Sequence, residues 1–485
     1  MKPVLSIINS NRGTAGGRRR RRLSMLIVFL FLLLPGLVAQ QYDVVLQGGR
    51  VIDPESNLDA VRNVGIFGRT VRAITQDWIT GRTVIDARGL IVAPGFIDLH
   101  SHGQNLENDR AHVMDGVTTA LDLEGGPVDI DAWYNAQAGK RLIHYGAAVS
   151  HTRARRILMG GAEIGNRSGP PTCPPECDAI QKPASDEQIA QIQKLIAKGL
   201  ERGAPGVGIG IGYIPGASHW EILQTFRTAG PYRASLHPHI RYVGLTEPGS
   251  FFTALDEVIA DAAVSGASLH IVHIGGMALS DLPKALGIIE KARKHGIDIT
   301  SECTVYGSGM SAVGSALLDP GWQEKLGITY SDLMWVATGE RLTEESFNRY
   351  RKVGGMVIIF AIPQTVVDAC VVSPMTTIAT DGVLEKGKGH PRASGTYSLV
   401  LGRYVRERKL LTWQEAIRKM TLLPAKRLEA RVPMMKSKGR LRVGADADIT
   451  VFDPERVIDR ATFKQPGLYS DGIRFVFGWR RLRSP

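Results

Sequence analysis

Two histidines one residue apart, His100 and His102, follow the short apolar run Phe96-Ile97-Asp98-Leu99. The breaker pair Pro94-Gly95 precedes it, so the run reads as a strand. Side chains alternate faces along a strand. His100 and His102 therefore point the same way, together with Asp98 and Phe96. Two neutral imidazoles placed so at the end of a buried strand can grip one metal ion. A bare His-x-His is weak by itself, because surface or core histidines also meet that spacing. Its meaning depends on partners elsewhere in the chain.

Four later segments offer them. Gly116-Val117-Thr118-Thr119-Ala120-Leu121-Asp122-Leu123-Glu124 reads as a second strand, with Asp122 and Glu124 on one face and Glu124 at its end. A carboxylate there can bridge two metal ions beside the histidine pair. Leu236-His237-Pro238-His239 and Leu269-His270-Ile271-Val272-His273 each carry two histidines. The later of each pair, His239 and His273, sits where a strand's C-terminal end belongs; His237 and His270 serve equally well as core or backing groups. Ile378-Ala379-Thr380-Asp381-Gly382 ends a further strand on an acid and a turn glycine. Four histidines and two carboxylates on successive strand ends describe a hydrolytic metal site. A metal lowers the pKa of bound water to near neutral and polarises a carbonyl. A nearby carboxylate accepts the water's proton and passes it to the leaving nitrogen, and Asp381 has that place.

The elements that hold these residues alternate. Between the strand ends lie helical stretches such as Ser185 to Gly203, with Ile189, Ile192, Leu195, Ile196 and Leu200 at helical spacing. Leu282 to His295 and Thr412 to Met420 behave similarly. Alternating β and α over this length predicts an α/β chain built on a (β/α)8 TIM barrel, whose active residues sit at the C-terminal strand ends. Residues 42–92 and the last part of the chain read instead as short strands separated by Gly, Asn and Asp. They predict small antiparallel units forming one composite β-sandwich domain from both ends of the mature chain. The expected division is a signal peptide over 1–39, β-domain over 40–92, barrel over 93–430 and β-domain again over 431–485.

The chain has 485 residues and a formal charge of +12, but Lys2, Arg12 and Arg18 to Arg22 all fall in the first 39 residues, which contain no acid. Without them the excess is +5, so the charge does not point to nucleic acid. Arg18 to Arg22, the apolar Leu23 to Leu34 and a small residue at Ala39 form a signal-peptide layout, with cleavage expected after Ala39. The apolar core is short for a membrane span. Both a twin-arginine and a general secretory signal fit. The mature protein is expected outside the cytoplasm, periplasmic or secreted, and off the membrane. Export permits disulfides, and Cys173-Pro-Pro-Glu-Cys177 in a Pro/Gly-rich loop suggests a local bridge.

Over nearly all of its mature length the chain resembles the amidohydrolase superfamily, and within it the N-acyl-D-amino-acid deacylases (D-aminoacylases). The resemblance lies in Ala93-Pro94-Gly95-Phe96-Ile97-Asp98-Leu99-His100-Ser101-His102, Tyr213-Ile214-Pro215-Gly216, His239-Ile240-Arg241, His390-Pro391-Arg392-Ala393-Ser394-Gly395-Thr396 and Gly444-Ala445-Asp446-Ala447-Asp448. It implies one or two zinc ions per subunit, with His100, His102 and Asp381 at one position and His239 and His273 at the other. It implies Asp381 as general base and acid, and Tyr213 and Arg392 as holders of the substrate carboxylate. The expected substrate is a small N-acyl-D-amino acid; the alternatives are another amidohydrolase-type C–N hydrolase (a cyclic amidase of dihydroorotase type, or a dipeptidase) and a non-catalytic binder on the same barrel. The sequence is silent on oligomeric state. Two departures stand out. The deacylases' second strand carries a cysteine ligand where this chain has Leu123-Glu124-Gly125-Gly126, and their His and Lys after His273 are replaced by Ile274-Gly275. A carboxylate is a harder ligand than a thiolate, so Glu124 either bridges two ions or leaves a single tight site.

Overall fold

The computed structural model describes residues 42–160, 177–244, 246–247 and 249–478, and the backbone of 481–483. The proposed signal segment and Cys173, half of the expected local bridge, lie outside these residues.

The architecture is α/β. Phe96–Asp98, Val117–Asp122 and His144–Ala147 form a parallel three-stranded sheet. Val149–Ser150, Gly206–Gly210, Ser235–His239, Ser268–Ile271, Ile299–Cys303 and Thr376–Ile378 form a parallel six-stranded one, in that spatial order. Ala148 alone separates the two along the chain. At the other edge, Asp381 N–H donates to His100 O at 2.7 Å and His102 N–H to Gly382 O at 3.1 Å. The last strand region is thereby tied to the first. Strands such as Gly206–Gly210 and Ser235–His239 are buried throughout, as parallel strands covered on both faces must be.

Helices fill the connections close to their expected bounds. Asp186–Glu201 starts at a capping box in which the Ser185 hydroxyl accepts from Gln188 N–H. Leu282–Lys294 and Trp413–Met420 follow, the latter capped by Thr412. Among the described residues no helix is long and apolar enough to cross a membrane.

Both ends of the chain join one eight-stranded sheet. Its order runs Arg481–Arg483, Ile473–Gly478, Ile449–Phe452, Ile91–Pro94, Tyr42–Asp53, Leu58–Phe67 and Thr70–Thr75, with Gly81–Asp86 also on Tyr42–Asp53. It is not antiparallel throughout, as the sequence suggested. Tyr42–Asp53 changes register at Gly48-Gly49, where Gly48 has φ +70°. The half before this bulge pairs in parallel with Gly81–Asp86 and the half after it with Ile91–Pro94. The tail clamps the entry to the His100 strand: Gly95 N–H donates to Asp448 O at 2.8 Å, and Lys438 Nζ bonds the Asp448 carboxylate at 2.6 Å.

Candidate metal centre

Four side-chain atoms converge beyond the ends of the first, second and last parallel strands. His100 Nε2 and His102 Nε2 lie 3.1 Å apart, and each is 3.0 Å from Glu124 Oε2. Asp381 Oδ1 is 3.4 Å from both nitrogens. Ligands about 2.0–2.1 Å from a tetrahedral zinc ion are about 3.3 Å from one another, so these separations are those of a coordination shell. His100 Nδ1–H donates to Glu302 Oε1 at 2.5 Å. Its Nε2 faces another imidazole and two carboxylate oxygens: protonated, it donates to Glu124 Oε2, and neutral, it offers its lone pair to a metal ion. A proton or a metal ion at this point relieves the crowding of acceptors.

The electrostatics agree. Burial lowers the pKa of His100, yet Asp381, Glu302 and Glu124 raise it well above the ordinary value. His102 behaves likewise, with Asp122, Asp381 and Glu124 outweighing burial. Burial raises the Glu124 carboxyl, but His100, His102 and His239 hold it well below the usual carboxylate range. The pocket draws positive charge to itself.

A second group shares Glu124. Its other oxygen, Oε1, is 3.0 Å from His239 Nδ1 and 3.5 Å from His273 Nε2. The two groups, His100/His102/Glu124/Asp381 and Glu124/His239/His273, both have the spacing of a metal site. Glu124 thus stands between them, one oxygen to each.

All eight residues singled out by sequence come together. Tyr213 packs against His239, with ring centroids 4.3 Å apart and the planes tilted by 43°. Arg392 is buried, and its Nη2 reaches Asp381 Oδ2 at 2.9 Å, while its Nε is buried without a hydrogen-bond partner. Burial raises the Asp381 carboxyl, but Arg392 and His100 hold it below its usual range. Two adjoining cavities open beside the cluster and share Tyr213, Met310, Ser311, Asp381 and Arg392. One continues to Ser150, Thr152 and Arg153, and the other has Val243, Met277, Leu317, Leu326 and Ile359 along one wall and His239 and His273 along another.

The backbone reaches the site at a conformational cost. The strands end at Asp98 and Ile271, short of the histidines the sequence placed within them. His273 and Asp381 have φ of 31° and 51°. Left-handed non-glycine residues are strained and cluster at functional sites. Two residues of the site were not singled out as functional from sequence. Asp122 Oδ1 lies 3.3 Å from His102 Nδ1, and Glu302 backs His100. The one signal for Glu302 is an acid inside Ile299-Thr300-Ser301-Glu302-Cys303, a strand with no other charge. Cys303 in turn is disulfide-bonded to Cys370, a pairing to which the spacing gave no hint.

The amidohydrolase family profile matches residues 83–187 and 253–477. N-acyl-D-glutamate deacylase of Alcaligenes xylosoxydans xylosoxydans is 30% identical over 484 residues, covering 90% of this chain and 92% of that protein. D-aminoacylase of the same organism is 27% identical over 471 residues, covering 90% and 94%. The structure of N-acyl-D-glutamate deacylase from Bordetella bronchiseptica, complexed with zinc and a phosphonate mimic of the tetrahedral intermediate, superposes with a TM-score of 0.77 at 25% identity, over 92% of this chain and 98% of that one. The chain belongs to the amidohydrolase family, in its branch of N-acyl-D-amino-acid deacylases.

Proposed function

We propose that the protein hydrolyses the amide bond of an N-acyl-D-amino acid, giving a carboxylate and a free D-amino acid. The observation that carries this reading is the convergence of His100, His102, Glu124 and Asp381 at coordination distances beside a buried arginine. The deacylase relatives supply the substrate class.

In this reading His100, His102, Glu124 and Asp381 hold one divalent ion, and Glu124, His239 and His273 hold a second. Imidazole and carboxylate donors in this number suit zinc. A zinc ion bound there acidifies water to near neutral pH and polarises a carbonyl. Asp381, beside the cluster, takes the proton of the attacking water and delivers it to the leaving nitrogen. Arg392, which lines both cavities, offers its guanidinium to the substrate carboxylate while Nη2 keeps Asp381 in place. Tyr213, packed on His239 and lining both cavities, closes the carboxylate end of the site. The apolar wall of the second cavity excludes water from one arm of the substrate.

The reading includes the scaffold. The two parallel sheets and the backbone bonds from Asp381 and His102 compose a (β/α)8 barrel over 93–430, with 40–92 and 431–485 as its β-domain. It also includes export through the segment 1–39, in keeping with the Cys303–Cys370 disulfide.

A hydrolysis screen tests the proposal. N-acetyl and N-formyl amino acids in D and L forms are compared with cyclic imides and dipeptides. Turnover of the D forms is expected. A preference for L substrates, or for the imides, overturns it.

A further inference from the structure

We propose that Glu302 is the positioning residue of the metal centre, a single carboxylate that sets the ligands of both metal positions. The inference rests on the metal reading above.

Glu302 is fully buried at the end of Ile299–Cys303, and both its oxygens are in use. Oε1 accepts from His100 Nδ1 at 2.5 Å and from the His273 N–H at 3.3 Å. Oε2 accepts from His270 Nε2 at 3.0 Å, and His270 Nδ1 in turn meets the Thr300 hydroxyl at 2.7 Å. Both oxygens face these neighbours and neither donor group includes Glu302, so it acts through the residues it holds.

Its effect on His100 is chemical. With the proton fixed on Nδ1, the lone pair is fixed on Nε2, the atom in the first donor group. An imidazole in the other tautomer presents N–H there and cannot bind a metal. Metal-bound histidines are commonly oriented by such a carboxylate. Its effect on His273 is conformational. His273 is left-handed at φ 31°, and this backbone aims its side chain into the second donor group. The hydrogen bond from its N–H to Glu302 holds that turn. His100 and His273 are thus fixed by one oxygen atom. His270, of open role in the sequence, is the strut that holds the carboxylate from behind.

Glutamine keeps an acceptor at the Oε1 position, and its amide N–H2 can donate to His270 Nε2 once that ring moves its proton to Nδ1, toward Thr300. Alanine keeps no acceptor, and the serine hydroxyl is too short to reach His100 Nδ1 or the His273 N–H. Zinc release from the full chain to a chromogenic chelator is followed for the parent, Glu302→Gln, Glu302→Ala and Glu302→Ser, with visible spectra of the cobalt-substituted forms. Melting of the zinc-free proteins identifies which variants fold, and one folded Ala or Ser variant suffices. Glu302→Ala or Glu302→Ser is expected to release zinc about 10–100 times faster and to alter the cobalt spectrum; Glu302→Gln is expected to stay near the parent in both. A folded Ala or Ser variant with parental release and spectrum, or a Gln variant as impaired as Ala, overturns the proposal. A parent that binds no zinc overturns the metal reading instead.

Discussion

Arg392 Nη2 lies 2.9 Å from Asp381 Oδ2, while Asp381 Oδ1 faces the two Nε2 atoms of His100 and His102. The aspartate is therefore divided, one oxygen toward the donor cluster and the other toward the cation. Arg392 lines both cavities, and its buried Nε has no hydrogen-bond partner. In the proposed reaction a substrate carboxylate at Arg392 and a proton at Asp381 are coupled through one planar group.

Replacing Asp381 by Asn keeps the shape and removes the proton acceptor. The expected result is a fall in turnover on the order of 10² or more, with most of the bound metal retained, since His100, His102 and Glu124 remain. Steady-state kinetics alongside metal analysis by mass spectrometry check it. Full activity in the Asn variant removes Asp381 from the proton-transfer role.

Arg392→Lys keeps the charge but loses the fork that serves Asp381 and the cavity together. A charge-assisted hydrogen bond contributes about 1.5–3 kcal/mol, so kcat/KM is expected to drop about 10–10²-fold. Both kcat and KM are expected to change, because the lysine cannot hold both partners. A change in KM alone shows that the Asp381 contact is idle.

The histidines and Asp381 were legible because strand periodicity and strand-end position are local properties of a sequence. Glu302 was not, because its partners His100 and His273 are 202 and 29 residues away and nothing local distinguishes it from any strand acid. The same distance hid the Cys303–Cys370 bridge, separated by 67 residues. Strand periodicity extends the strands to His102 and His273, but these residues leave the ladder so that their rings can reach the two donor groups that share Glu124. The short strands predicted antiparallel units, and Tyr42–Asp53 does pair so with Leu58–Phe67, but the bulge at Gly48-Gly49 also gives it two parallel partners.

The Cys303–Cys370 bridge joins the end of a parallel strand to the helix Gln364–Val372. Closing a loop of that length stabilises by about 4 kcal/mol in the chain-entropy account. Cys370→Ser is expected to lose about 2–4 kcal/mol, read from urea unfolding. Alkylation under denaturing conditions is expected to label neither Cys303 nor Cys370 until reductant is added; labelling without reductant refutes the bridge.

Asp261, on the helix Phe251–Ser265, is buried, and its Oδ2 has no hydrogen-bond partner. Burial, then the nearby Glu257 charge, raise its carboxyl from 3.8 to about 7. In the folded chain it thus keeps a proton that the unfolded chain has lost. Stability from this group is present below pH 4 and falls as the pH climbs through 7. Asp261→Asn removes that loss. Allowing for partial solvent screening, its advantage over the parent is expected to grow by about 1–2 kcal/mol between pH 4 and pH 8. Urea midpoints at the two pH values measure it, and an advantage independent of pH contradicts the assignment.

In the proposed centre Glu124 sets how many ions can be held. Its Oε2 is 3.0 Å from both His100 and His102, and its Oε1 is 3.0 Å from His239. A ligand confined to one position affects one ion on removal; a bridge affects both. Glu124→Ala is therefore expected to weaken both positions, by more than the roughly 10–100-fold that loss of an orienting neighbour costs. Zinc per chain after gel filtration is expected to fall below one. Unchanged stoichiometry in the Ala variant excludes Glu124 as a ligand, and loss of a single ion confines it to one side of the centre.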